Sequence, residues 1–326
     1  MFVKAIDIGY STLVSAEGYT GKSPQVRVNP IGVCHIEAAG PSLGFQSKGT
    51  GGRVVKVDGE EYLAGVLPRH VDNRRVLHAN YTQSVEYRAL FHLGLANCGR
   101  DVIDVLITGL PVQQFSDENR KKALVDLLKG KHYPTPNGHA VEVREVKVVP
   151  QPFGGFCAAI MENPDIAKLL QTGITLVVDP GYYSLDWTLI NSGNIQREGS
   201  GGSQNSISKV LEEASTSILD RFGARVSAEK LEASFQSNSD VVIKGELVGL
   251  DECMNGVEKT VHKSVDEILK SMRGMADDVD LVVLAGGGAM FWKEALGKAF
   301  INAKQVHLSD PVSANARGYW HWGCAQ

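Results

Sequence analysis

The sequence predicts an α/β protein built of two similar halves. Three observations carry that expectation. Apolar strands precede helix-period segments in both halves, an Asp-x-Gly turn follows the first strand of each half, and a glycine cluster separates a late strand from a helix.

The first half opens with short β-rich runs, FVKAIDIG, STLVSA, QVRVNPIGV and VVKVDGEEYLAG, the last with Asp58-Gly59 as a hairpin turn. This is an antiparallel beginning. Helix-period patterns follow at 83–97 and 117–129, on either side of the apolar strand DVIDVLITGLP, and Asp117 or Ser116 is placed to cap the second helix. The alternating stretch VEVREVKVV then leads into PQPFGGFCAAIM, an extended arrival followed by a helix start. The second half repeats the order with ITLVVD, a turn, LDWTLIN, a short strand NIQRE and the helix SISKVLEEASTSILDRF. Helices near 227–235 and 251–274 and the strand DLVVLAG follow. GSGGS at 199–203 is too short for an interdomain linker, so its glycines are expected to serve a turn or a ligand.

With 326 residues, 43% of them hydrophobic and 21% charged, the chain has room for two domains and a substantial core. A formal net charge of -4 offers no broad footprint for nucleic acid, and direct contact with it is not predicted. Five scattered cysteines lack any C-x-x-C spacing, which argues against a zinc site or a redox pair. No basic-then-apolar leader opens the chain, and no run approaches the roughly 20 apolar residues that span a bilayer. A cytoplasmic protein without membrane contact is the expectation.

The chemistry concentrates in an internal echo, Asp7-Ile8-Gly9-Tyr10-Ser11 against Asp179-Pro180-Gly181-Tyr182-Tyr183-Ser184. Glycine at such a turn lets backbone N–H groups face an anion, and a neighbouring hydroxyl adds a donor. Aspartate there repels a phosphate unless a hydrated cation lies between them. Two such turns facing one another would therefore hold a metal-bound polyphosphate from both sides. Pro180 has no N–H to offer, so contacts on its turn are expected from Gly181 onward and from Ser184. The third cluster, LAGGGAMF at 284–291, either brings a ligand close to a helix N-terminus or makes a tight βα turn. It is neither a Walker A loop nor a G-x-G-x-x-G fingerprint.

Taken in order, these motifs resemble the actin, sugar-kinase and heat-shock chaperone ATPase superfamily over essentially the whole chain. Residues 7–12 match its first phosphate motif, 150–157 the first connecting motif, 179–186 the second phosphate motif, 284–289 the adenosine motif and 314–318 the second connecting motif. TGLP at 108–111, VDPGYYSLDW at 178–187 and SANARGYW at 313–320 are most similar to the short ParM (StbA) plasmid-segregation actins and to the actin-like PRTRC system protein D family. The resemblance implies an actin-like ATPase (ribonuclease H-like) fold, two domains each with a mixed central sheet flanked by helices. Domain I would cover 1–158, with a C-terminal helix at 311–326 packing back on it, and domain II 159–310, with the adenosine loop.

The resemblance also implies ATP or ADP with Mg2+ in the cleft between the domains. Gly9, Tyr10, Ser11 and Thr12 would face the phosphates from one side and Gly181, Tyr182, Tyr183 and Ser184 from the other. Gly286, Gly287 and Gly288 would meet the adenosine, while Gly201 and Gly202 approach the ribose or the phosphates. Asp7 and Asp179 would reach Mg2+ through its waters, Gln151 would orient the attacking water, and Asp186 or Asp179 would receive its proton. Glutamate is frequent at the place of Gln151, and only glutamate could also take the proton itself. Gln151 has a second reading as a cap on the following helix, and Asp186 as a charge on an exposed strand face. The functional expectation is a polymerising ATPase that segregates a plasmid or other mobile element, self-associating head to tail and meeting DNA through an adaptor DNA-binding protein. A non-polymerising regulatory ATPase and a small-molecule kinase are the alternatives, since fold does not fix function. Trp320, His321 and Trp322 are expected to dock a terminal helix by its aromatic face, and the methionines at 272 and 275 to fill the interior.

Overall fold

In a computed structural model of the chain, which describes residues 1–39, 52–68, 71 and 80–326, the two halves build sheets of the same design. The first half contains β1 (Phe2–Ile8), β2 (Thr12–Tyr19), β3 (Gln25–Pro30), β4 (Gly32–His35), β5 (Arg53–Val57), β6 (Glu60–Val66), α1 (Val85–Ala96) and β7 (Val102–Leu110). It continues through α2 (Val112–Phe115), α3 (Glu118–Leu128), β8 (Gly130–His132) and β9 (Val141–Pro150) to α4 (Pro152–Glu162) and α5 (Ala167–Thr172). The second half contains β10 (Ile174–Pro180), β11 (Leu185–Asn191), β12 (Asn194–Ser203), α6 (Ile207–Phe222), α7 (Ala228–Ser237), β13 (Val241–Ile243), β14 (Glu246–Val248) and α8 (Leu250–Cys253). It closes with α9 (Glu258–Ser271), β15 (Leu281–Leu284), α10 (Ala289–Ala299), β16 (Lys304–His307) and α11 (Ala314–Cys324).

The first sheet runs β3-β2-β1-β7-β9-β8 and the second β12-β11-β10-β15-β16. In each, an antiparallel hairpin of long strands lies beside parallel neighbours reached by helical crossovers. The hairpins also share a register, because Asp7 faces Val14 across the first and Asp179 faces Asp186 across the second. The sequence echo is thus a structural repeat, broken where an apolar residue in one half is a carboxylate in the other.

Helices cover both faces of each sheet, and this is why β1 and β10 are buried almost throughout. Lys4 tolerates that burial by pairing with Glu17, its cross-strand neighbour in β2. One face of the first sheet packs on α1 and α3 through Leu90, Leu93 and Leu124. Its other face packs on α11 through Ala316, Tyr319 and Trp320, as the aromatic run of that helix predicts. The second sheet carries α6, α9 and α10 on one face, with Leu211, Ile268 and Trp292, and α4 on the other, with Phe156 and Ala159.

The two covering helices are exchanged. α4 follows the last strand of the first sheet yet lies against β10, β11 and β15, whereas α11 follows the second sheet yet lies against β1, β2 and β7. They cross each other at Gly154 and Gly318, where a Cβ on Gly318 would come within 1.8 Å of the Gly154 carbonyl oxygen. Only glycine permits that approach. A boundary at 158 falls inside α4.

Some local expectations are corrected. GSGGS is not a turn, since 199–203 continue β12, with Gly201 and Gly202 paired to Trp187 and Asp186 of β11. The helix expected over 251–274 is interrupted after Cys253 and resumes at Glu258, with Gly256 at φ +84° between the two pieces. Asp117 rather than Ser116 caps α3, accepting from the N–H groups of Asn119 and Arg120. Met272 is fully buried, as expected. No helix among the described residues is long and apolar enough to cross a membrane.

The crossing gives a direct stability test. Gly318→Ala should destabilise the protein by roughly 1–3 kcal/mol through overpacking against backbone that cannot yield. Gly297→Ala, on α10 where a Cβ meets nothing within 4 Å, should be neutral or slightly stabilising. Thermal unfolding of the two variants beside the parent protein checks both signs.

Candidate functional site

The strand ends Asp7 and Asp179 face a cavity of about 880 Å3 between the two sheets. Each hairpin tip closes on itself first. The Gly9 N–H donates to the Thr12 carbonyl at 3.0 Å, and the Gly181 N–H to the Ser184 carbonyl at 2.9 Å. Donors for an anion therefore fall to the residues after each of these glycines.

Three carboxylates stand around the floor. Asp7 is half-buried and accepts from Gln151 Nε2 at 3.2 Å and from Asn315 Nδ2 at 3.4 Å. Asp179 is buried and accepts from the same Asn315 nitrogen at 2.7 Å. Asp186 is 3% exposed, which removes the surface-charge reading of this residue. It accepts from Ser184 Oγ at 2.6 Å and from the backbone N–H of Val112 at 2.9 Å. That second bond gives TGLP a structural task, because the strand end it forms carries Val112 of the first half onto a carboxylate of the second. Gly202 opposite Asp186 leaves room for it, since a Cβ there would lie 3.0 Å from Asp186 Oδ1.

Burial dominates the electrostatics. It pushes the Asp179 carboxyl up to about 7, with the nearby charge of Asp7 adding to the rise and the Asn315 bond opposing it. Burial likewise pushes Asp186 up to about 6, against the bonds from Ser184 and Val112. Asp7 is raised for the same reason and lowered in part by Gln151 and Asn315. Such groups are poised to exchange protons near neutrality. Among the described residues no three His, Cys, Asp or Glu side chains converge as a metal cage. The donor set suits a hard cation that keeps its own waters.

Gln151 begins α4 but makes no side-chain cap; its amide turns to Asp7 instead. Its carbonyl accepts from the Tyr319 hydroxyl at 2.9 Å, which ties the start of α4 to α11. Thr12, Tyr182 and Tyr183 line the cavity as well. Tyr10 stacks on Tyr81 at 4.4 Å between ring centroids and meets Tyr183 of the other turn at 4.8 Å. Ser11 donates to Glu232 Oε1 at 2.7 Å and accepts from Gln236 Nε2 at 2.8 Å, both on α7. In this arrangement the hydroxyls of Ser11 and Ser184 are both given to carboxylates.

The glycine clusters divide. Gly286, at φ +74°, lies so close to Asp179 that a Cβ would fall 2.1 Å from its Oδ1, and Gly287 opens onto the cavity. Gly288 lies outside the lining and is small because Ile207 and Pro180 crowd it. Gly201 also lies outside, under the Trp187 ring, where a Cβ would fall 2.7 Å from the ring, while Gly202 reaches the cavity. Sequence reasoning placed Asn315 inside the second connecting motif without giving it a role of its own, and assigned nothing to Glu232, Gln236 or Tyr81. Asn315 carries a weak signal, as a polar residue in an otherwise small and aromatic helix; Glu232 looks like any surface glutamate until the fold buries it.

Residues 5–154 match the family model "Actin like proteins N terminal domain", and residues 177–298 match "Archaeal actin homologue MreB-like, C-terminal". No curated protein shows significant sequence similarity to the chain. Among solved structures, the archaeal actin homolog Ta0583 superposes with a TM-score of 0.78 at 18% identity, covering 100% of both chains. Its complex with ADP gives 0.75, with the same identity and coverage. A 15-stranded ParM filament from Clostridium botulinum gives 0.76 at 19% identity, covering 100% of this chain and 99% of that one. These likenesses show the fold.

The raised carboxyls set a pH dependence. Asp179 keeps its proton in the folded chain up to about 7, whereas the unfolded chain releases it near the ordinary 3.8. Its contribution to stability is full below about 4 and is lost as pH rises to about 7. Without nucleotide or divalent cation, Asp179→Asn should therefore melt roughly 2–4 °C above the parent at pH 8 and show no advantage at pH 4. A parallel pair of melting curves across that range would contradict the burial argument.

Proposed function

We propose that this chain, actin-like in both of its halves, binds ATP with Mg2+ in the cleft between its sheets, hydrolyses it, and assembles head to tail into filaments. The observation that carries the reading is the pair of Asp-x-Gly hairpins in equal register, facing one cavity from opposite halves of the chain. A repeat of that kind holds a polyphosphate from two sides, and so makes the angle between the halves sensitive to what lies between them.

The roles follow from placement. Backbone donors at Tyr10 and Ser11, and at Tyr182, Tyr183 and Ser184, would stabilise charge on the β- and γ-phosphates, with the serine hydroxyls moving from their carboxylate partners to the nucleotide. Asp7 and Asp179 would hold Mg2+ through its waters, and the ion would neutralise phosphate oxygens as charge shifts in the transfer. Gln151, already turned toward Asp7 and the cavity, would orient the attacking water. Asp186 is the base best suited to receive its proton, being buried, raised to about 6 and on the cavity wall. Gly287 and the mouth of α10 would lie under the adenosine.

Assembly is supported by the fold and by apolar surface. Val242 and Leu247, side by side on the β13–β14 hairpin, are 44% and 72% exposed, and Ile301 is 83% exposed. A head-to-tail contact between unlike surfaces generates an open polymer. Segregation of a plasmid or mobile element, with an adaptor protein supplying the DNA contact, is the task we assign to such filaments; the chain's net charge of -4 offers no broad basic footprint for DNA.

Light scattering and sedimentation across protein and salt concentration should show assembly with ATP and Mg2+ and none without nucleotide. Absence of assembly alongside measured hydrolysis would leave an ATPase and remove the filament. ADP formation that needs an added small-molecule acceptor, with the phosphoryl group recovered on that acceptor, would make the protein a kinase instead. Asp179→Ala should abolish hydrolysis, and Gln151→Ala should slow kcat by about 10–100-fold with nucleotide affinity within a few-fold of the parent. Loss of affinity in the second variant would assign Gln151 to the architecture of the cleft.

A further inference from the structure

Asn315 lies on α11, far in sequence from both carboxylates it touches, and is 4% exposed. Its carbonyl Oδ1 accepts from the Gly155 N–H at 3.0 Å, in the first turn of α4. That bond fixes which end of the amide points where, since a backbone N–H requires an acceptor. The NH2 group is then directed at Asp179 Oδ2, 2.7 Å away, and at Asp7 Oδ2, 3.4 Å away. One nitrogen with two hydrogens thus spans two carboxylates from opposite halves of the chain.

Turning the amide over would set its oxygen against two carboxylates and leave the Gly155 N–H unpaired, so the orientation is locked. The remaining oxygens are placed as well. Asp7 Oδ1 accepts from Gln151, and Asp179 Oδ1 lies against Gly286 at the cavity wall. The neutral side chain matters here. An arginine or lysine reaching the same point would hold the carboxylates with its own charge and displace a cation, whereas an amide holds them and leaves their charge for one.

We propose that Asn315 is a positioning residue that sets Asp7 and Asp179 at the spacing a hydrated divalent cation bridges, and so determines how strongly Mg2+ tightens nucleotide. The proposal rests on the nucleotide-cleft reading above. It concerns the cation's contribution alone, since Asn315 makes its polar contacts to the carboxylates and to α4.

Calorimetric titration of ADP, with Mg2+ and with chelator, separates the two readings. In the parent protein Mg2+ should tighten ADP. In Asn315→Ala the Mg2+-free affinity should stay within about 2-fold while the tightening by Mg2+ falls by about 10-fold or more, the loss expected when a partner that orients a metal-binding group is removed. Asn315→Asp keeps the acceptor for Gly155 but replaces the donor by a third carboxylate, so it should lose the same tightening while retaining the bond to α4. That second variant keeps the test decisive where the alanine fails to fold. Unchanged tightening in either folded variant, or an equal loss with and without Mg2+, would overturn the proposal and leave Asn315 a packing residue. A parent protein whose ADP affinity ignores Mg2+ would overturn the nucleotide-cleft reading and this proposal with it.

Discussion

Two carboxylates from opposite halves of the chain share one side-chain amide, and the rest of the cleft is arranged around that contact. Like charges in a buried place repel, and burial raises both Asp7 and Asp179. A neutral bridge lowers that penalty without removing the charge. It exists only because α4 and α11 cross with backbone against backbone, which brings residue 315 within reach of residues 7, 155 and 179. The exchange of covering helices between the sheets is the architecture that makes the crossing possible.

The repeat is informative where it holds and where it fails. Equal hairpins put Asp7 and Asp179 in equivalent places, so both can serve one ligand from two sides. The cross-strand positions differ, with Val14 filling the interior of the first half and Asp186 facing the cavity in the second. Duplication therefore supplies the symmetric part of the site, and one departure from it supplies the group suited to proton transfer. The Val112 N–H and Ser184 hydroxyl on Asp186 are local additions to that departure.

The hairpins were legible in the sequence because their signals are local: alternating apolar residues, a turn formed by Asp and Gly, and a second copy with the same spacing. The α4 start and the aromatic α11 were legible for similar reasons of pattern. Gly201 of β12 was misplaced, because a glycine that accommodates a tryptophan ring and one that accommodates a turn or a ligand are written identically. Gly288 likewise owes its size to Ile207, which is 81 positions away and invisible to a local reading. Glu232 was missed, and Asn315 given no role of its own, since their importance comes from approach across the fold. The break between α8 and α9 was hidden because a helical period continues across it.

The return of α11 to the first sheet has a consequence for biosynthesis. β1, β2 and β7 emerge early from the ribosome, yet the face that receives Tyr319 and Trp320 stays uncovered until α11 has been made, roughly 200 residues after β7. Closing such a distant contact is slow, and an apolar sheet face left open during the wait is adhesive. Strands translated well before α11 are thus among the last to be sealed, and the nascent chain depends on α11, or on a chaperone holding its place, to become watertight.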